Sequence, residues 1–108
     1  MVASKSTHSY VIEFETAKFE WDDRKRRTNL RQHGIDFEDA ARIFKRPVLT
    51  VRSDRGNGVR YVALGILDGI EIAVVYTVRS NACRIISARR ARHNERKAYY
   101  KAFGGDAE

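Results

Sequence analysis

The chain has 108 residues, 43% of them aliphatic or aromatic, which is enough for one domain with a modest core and too much for a disordered chain. Its 21 Lys and Arg against 14 Asp and Glu give a net charge of +7, a balance that suits a polyanionic partner: RNA, DNA or an acidic protein. A lone Cys83 rules out an internal disulfide, residues 1–8 do not read as a signal peptide, and no run approaches the roughly 20 apolar residues that span a bilayer, so a cytoplasmic chain with no membrane partner is expected.

Residues 1–8 read as a flexible arm, and Tyr10–Phe14 as a weak strand that extends a sheet. Phe19-Glu20-Trp21 alternates as a short strand does. Asp22 or Asp23 then serves as the N-cap of a helix running to about His33 and stopped by Gly34. Asp36 caps a second helix, whose Phe37, Ala40, Ala41 and Phe44 form one apolar face and which Pro47 ends. A meander follows. Val48–Ser53 and Val59–Leu67 flank a turn cluster at Asp54–Gly58, Asp68-Gly69 makes a tight hairpin to Ile70–Val78, and Ser80-Asn81 turns into Cys83–Ala88. A last helix runs to about Phe103, before a tail that frays. Hairpin-linked strands with segregated helices predict an α+β fold with a mainly antiparallel sheet of four to five strands, two N-terminal helices and a C-terminal helix packed on it.

Three groups of residues carry possible chemistry. Lys25, Asn29 and His33 are spaced by four and share one helix face, where they can meet a phosphate and a ribose, or else supply packing and solvated charge. A two-residue Ser80-Asn81 loop would pair Arg79 with Ala82 and Thr77 with Arg84, making Arg79 and Arg84 diagonal neighbours that repel unless an anion sits between them; a longer loop would separate them. Arg60 joins the same surface if the register allows. Arg89, Arg90 and Arg92 fall at the junction of the last strand and helix, where cations cost a little folding free energy unless an anion binds. Glu95 and Tyr99 lie i, i+4 just beyond and can face one way; alternatively, Glu95 neutralises its neighbours and Tyr99 packs on the sheet. His8, His33 and His93 lack metal-ligand spacing and Cys83 is alone, so neither a metal nor a cofactor is expected.

These residues together resemble the BrnT family of type II toxins, within the RelE-like ribonuclease toxins. The matching pattern is Phe19-Glu20-Trp21-Asp22 with Lys25, Asn29 and His33-Gly34, then Phe37 and Ala40, Arg60-Tyr61, Val75-Tyr76-Thr77 with Arg79, and Arg84 through Arg89 with Glu95 and Arg96. The resemblance covers about residues 18–100. It sets off residues 1–17 as an extension, 18–103 as the toxin domain and 104–108 as a tail. Where the family often has an acidic residue before the Arg-Tyr pair, this chain has Val59.

The resemblance implies a RelE-like fold, metal-free RNA cleavage that arrests translation, neutralisation by a BrnA-like antitoxin, and contact with operator DNA only through the antitoxin complex. In such a ribonuclease the substrate's 2′-hydroxyl attacks the adjacent phosphorus. Arg79, Arg89 and Arg60 are candidates for the phosphate clamp, His33, Glu95 and Tyr99 for proton transfer, and Lys25, Asn29, Arg84, Arg90 and Arg92 for further RNA contacts. Two other classes fit the same charge. One is a non-catalytic nucleic-acid-binding domain whose Tyr61, Tyr76 or Tyr99 stacks on bases; the other is an interaction protein whose basic face meets an acidic antitoxin segment.

Overall fold

The computed structural model describes residues 9–12, 18–54 and 58–105. The arm 1–8, Glu13 and Phe14 of the weak strand, residues 55–57 of the turn cluster and residues 106–108 of the tail lie outside the described residues. The elements are β1 (Ser9–Ile12), β2 (Lys18–Trp21), α1 (Asp23–His33), α2 (Phe37–Ala40), a 3-10 helix (Ala41–Lys45), β3 (Val48–Arg52), β4 (Tyr61–Leu67), β5 (Ile70–Arg79), β6 (Ala82–Arg90) and α3 (His93–Phe103). Among the described residues no helix is long and apolar enough to cross a membrane.

The α+β class stands, but the sheet is larger and differently arranged than expected. Among the described residues six strands run in the order β1-β3-β4-β5-β6-β2, and the sheet is mixed because β2 lies parallel to β6. The helices are also distributed differently. α2 and the 3-10 helix pack on one face of the sheet, α1 runs along the edge of β6, and α3 covers part of the opposite face.

Local chemistry explains the boundaries. Asp22 accepts from the main-chain N–H groups of Arg24 (2.8 Å) and Lys25 (3.1 Å), starting α1. Gly34, at φ 72°, ends it in the left-handed conformation that glycine takes without strain. Asp36 caps α2 and also accepts from Nε and Nη2 of Arg26 at 2.8 and 3.0 Å, clamping α1 to α2. The single helix expected after Asp36 splits. Its buried Phe37, Ala40 and Ile43 are three residues apart, a spacing that a 3-10 turn stacks on one side. The 3-10 helix sits so close to the sheet that a Cβ on Gly65 would lie 2.9 Å from Ile43 Cβ.

Both hairpins are tight. Asp68-Gly69 (φ 50° and 83°) and Ser80-Asn81 (φ 48° and 67°) each place two residues in the left-handed region, as the twist of a two-residue β-turn requires. Strand alternation then divides the side chains. Tyr76, Val74, Ile72, Ile85, Cys83 and Ala88 meet Phe37 and Phe44 on one face, while Leu49, Leu64 and Ala73 meet Tyr99 on the other. Cys83 is fully buried, and desolvation pushes its thiol up to about 12, as befits a core residue.

Candidate active site

The open part of the second face carries a cleft of about 500 Å³ between β6 and α3. Val62, Val75, Ile86 and Ser87 form its floor, and Arg60, Arg89, Arg92, Asn94 and Glu95 line it. β6 is longer than expected. Ala73 pairs with Arg89 and Ile72 with Arg90, so both arginines belong to the strand, and only Arg92, the N-cap of α3, meets a helix terminus. Alternation separates the two strand arginines. Arg89 lines the cleft, whereas Arg90 does not and sits exposed at the strand end.

Arg89 and Glu95 form the best-defined polar contact of the cleft. Nη1 and Nη2 of Arg89 donate to Oε1 and Oε2 of Glu95 at 2.8 and 3.0 Å, and the Arg92 main-chain N–H donates to Oε1 at 2.8 Å. Their side chains are only 20% and 17% exposed. Burial pushes the Glu95 carboxyl up, but the Arg89 guanidinium and the Arg92 amide outweigh it and hold the group below the ordinary carboxylate range. A carboxylate so engaged is a weak proton acceptor and a strong orienting group for a guanidinium. Arg60 is held by a main-chain bridge in which Ser53 N–H donates to Arg60 O at 2.7 Å. Among the described residues its guanidinium has no hydrogen bond or ion pair.

A second groove, of about 290 Å³, adjoins the first along Ile86 and Ser87, which line both. Its other wall is α1, with Lys25, Thr28, Gln32 and His33. Val75 pairs with Ser87 and Tyr76 with Ile85, so Ile86 is the extra residue of a β-bulge at the border of the two grooves.

Asn29 explains why α1 lies there, and its side chain, expected to contact RNA, is engaged with the sheet edge instead. β2 pairs with β6 only as far as Ile85, and among the described residues the edge of β6 beyond it has no strand partner. The Asn29 amide fills that place. Nδ2 donates to Ala88 O at 2.9 Å, Oδ1 accepts from Ala88 N–H at 3.1 Å, and Nδ2 also donates to Ile35 O at 2.9 Å. With the side chain 5% exposed and both amide hydrogens used, none remains for RNA.

Three further expectations change. Tyr99 is not beside Glu95 in the cleft. One helical turn further on, it packs on Leu49, Leu64 and Ala73 and lines a separate groove with Arg42, Lys45 and Arg46. Burial raises its hydroxyl. Arg84 is not a free cation, because its Nη1 lies 3.2 Å from Glu20 Oε2, brought opposite it by the β2–β6 register. Arg79 does pair with Ala82 as the two-residue turn requires, but Arg89 pairs with Ala73, six residues back along β5, which sets the two about 20 Å apart along the strand. They cannot grip one phosphate.

The cleft therefore unites Arg60, Arg89, Arg92 and Glu95, and the adjoining groove holds Lys25 and His33. Sequence reading missed Ser87 and Asn94; for Ser87 the signal was there, since it lies two residues before Arg89 on the same strand face. Tyr76 is fully buried and so offers no face to a base, and the half-buried Tyr61 has one ring face stacked on it with ring centroids 5.4 Å apart. Among the described residues no three His, Cys, Asp or Glu side chains converge.

Residues 21–95, well over half of the chain, match the family described as the ribonuclease toxin BrnT of type II toxin–antitoxin systems. The match takes in Arg60, Arg89, Arg92 and Glu95 of the cleft and Lys25 and His33 of the adjoining groove, and stops short of Tyr99. No curated protein matches the chain.

Proposed function

The chain belongs to the BrnT family of ribonuclease toxins, and we propose that it cleaves RNA in the cleft between β6 and α3 by attack of the substrate's own 2′-hydroxyl, without a metal. The observation that carries this reading is the bidentate Arg89–Glu95 contact, which holds a guanidinium toward a cleft also lined by Arg60 and Arg92. In the attack the 2′-oxygen bonds to phosphorus as the 5′-oxygen leaves, giving a 2′,3′-cyclic phosphate. Negative charge builds on the non-bridging oxygens. Arg89 and Arg60 oppose it, with Arg92 at the rim. The 2′-hydroxyl gives up its proton as it attacks, and the departing 5′-oxygen takes one from the protonated carrier or from water. Glu95 orients Arg89. His33, across the Ile86–Ser87 wall, is the proton carrier, and Lys25 beside it holds a flanking phosphate.

RelE-like architecture, translation arrest, a cytoplasmic setting and neutralisation by a BrnA-like antitoxin belong to the same reading. Family membership supports them, as does a charge of +7 suited to an acidic partner segment. Operator DNA is then met only through the toxin–antitoxin complex.

The test is digestion of a defined RNA by purified protein in excess chelator, wild type beside Arg89→Ala, with the product ends mapped. Cleavage to 2′,3′-cyclic phosphate ends, reduced about 100-fold or more in the variant, is the expected outcome. Loss of cleavage on chelation, or full activity in a folded Arg89→Ala protein, would overturn it.

A further inference from the structure

We propose that the open sheet face is an extended track for single-stranded RNA, with Arg79 as a distal phosphate contact well outside the cleft. The proposal rests on reading the cleft as an RNA site and adds the length of strand that the protein holds.

Strand alternation sets the path of the track. Val75, Thr77 and Arg79 on β5 point to the same face, and Val75 forms part of the cleft floor. Opposite them on β6, Ser87 pairs with Val75 and Arg84 with Thr77. The cleft floor therefore continues along the strands, past Thr77, to the Ser80-Asn81 hairpin. Charge along this path is uneven. Arg60, Arg89 and Arg92 crowd the cleft end. Midway, Glu20 holds Arg84 at 3.2 Å and cancels its charge. At the far end Arg79 is exposed and, among the described residues, has no hydrogen bond or ion pair. Arg79 and Arg89 are about 20 Å apart along the strand. That distance matches about six stacked nucleotides at about 3.4 Å per residue of one strand, and fewer if the strand is stretched. A dinucleotide bound at Arg89 would fall short of Arg79. A duplex is a poor fit, because the half-buried aliphatic floor suits splayed bases rather than a second phosphate backbone.

The test measures binding rather than cleavage, so it stands apart from the catalytic reading. The probes are fluorescent 2′-O-methyl RNAs of mixed sequence, about four and about twelve nucleotides long, which have no 2′-hydroxyl to attack. Wild-type protein is expected to bind the long probe more tightly. Arg79→Ala is expected to weaken the long probe about three- to tenfold, lower its salt slope by about 0.7 and leave the short probe unmoved. Glu20→Gln, which frees Arg84, is expected to tighten the long probe alone. Equal affinity of wild type for the two lengths, or an Arg79→Ala effect of the same size on both, would overturn the track while leaving the cleft as a short RNA site. A folded wild-type protein that binds neither probe would overturn the track and the RNA reading together.

Discussion

The two faces of the sheet use the same alternating strands for opposite ends. The face under α2 and the 3-10 helix is sealed, with Phe37, Phe44, Tyr76 and Ile85 at 2% exposure or less and aromatic rings meeting edge to face. The other face is only half covered: the apolar packing of α3 is Tyr99 on Leu49, Leu64 and Ala73. Beyond that contact the floor stays open and arginines gather. One face supplies most of the buried apolar surface, which frees the open part of the other to carry like charges that would destabilise an isolated hairpin. Stability and chemistry should therefore respond to different substitutions although every strand serves both.

The largest expected separation comes from Phe44→Ala. Phe44 is 2% exposed and stacks edge-on against Tyr76 at 5.3 Å. Its loss should cost about 3–5 kcal/mol, a large share of a small domain's total. Urea unfolding measures it. A loss under about 1 kcal/mol would mean that the sealed face is not the stabilising one.

Asn29→Ala is next and probes the seam between the faces. It removes three hydrogen bonds and leaves the Ala88 N–H and C=O unpartnered at the sheet edge. A cost of about 2–3 kcal/mol is expected, with faster hydrogen exchange at the Ala88 amide. A variant that keeps its stability but loses RNA binding would return Asn29 to the role of a direct contact.

How much of this was legible in the sequence depended on the reach of each interaction. The Asp22 and Asp36 caps, the Gly34 stop and the Arg79–Ala82 register all rest on contacts within a few residues, and all could be read. The Asn29–Ala88 and Glu20–Arg84 contacts join residues 59 and 64 apart. Both depend on β2 lying parallel beside β6, which no local pattern announces. The Ile86 bulge was equally hidden, since one extra residue in an apolar strand leaves its composition unchanged. The candidate site was therefore visible as a set of residues but not as a geometry. The turn chemistry places Arg79 and Arg84 as diagonal neighbours, which the register bears out, but it says nothing of Arg89, which six residues of strand separate from Arg79.

The third prediction concerns acid. The folded Glu95 carboxyl sits below its ordinary value of 4.5, so its contribution to stability is present above about pH 4.5 and is lost as pH falls through the lower folded value. Asp36 and Glu71, also lowered, share this direction. Glu95→Gln should therefore cost about 1–2 kcal/mol at pH 7 and show a shallower acid slope than wild type. Unfolding free energies measured across the acid range provide the check; identical slopes would mean that the Arg89 contact is not held in solution.

The smallest expected effect belongs to Tyr99→Phe, and it discriminates well for that reason. Tyr99 packs against Leu49, Leu64 and Ala73, and its ring meets Tyr100 and Phe103 at 5.1 and 4.9 Å. Phenylalanine keeps all of that packing. Burial raises the hydroxyl, which makes it a poorer acid, and it opens toward Arg46 rather than the cleft. Removing it should change stability by less than about 0.5 kcal/mol and leave RNA cleavage at the wild-type rate. A rate drop of about 100-fold in a variant of unchanged stability would show that α3 presents two groups to the substrate, not one, and that the division between a packed aromatic end and a reactive Arg89–Glu95 end is misplaced.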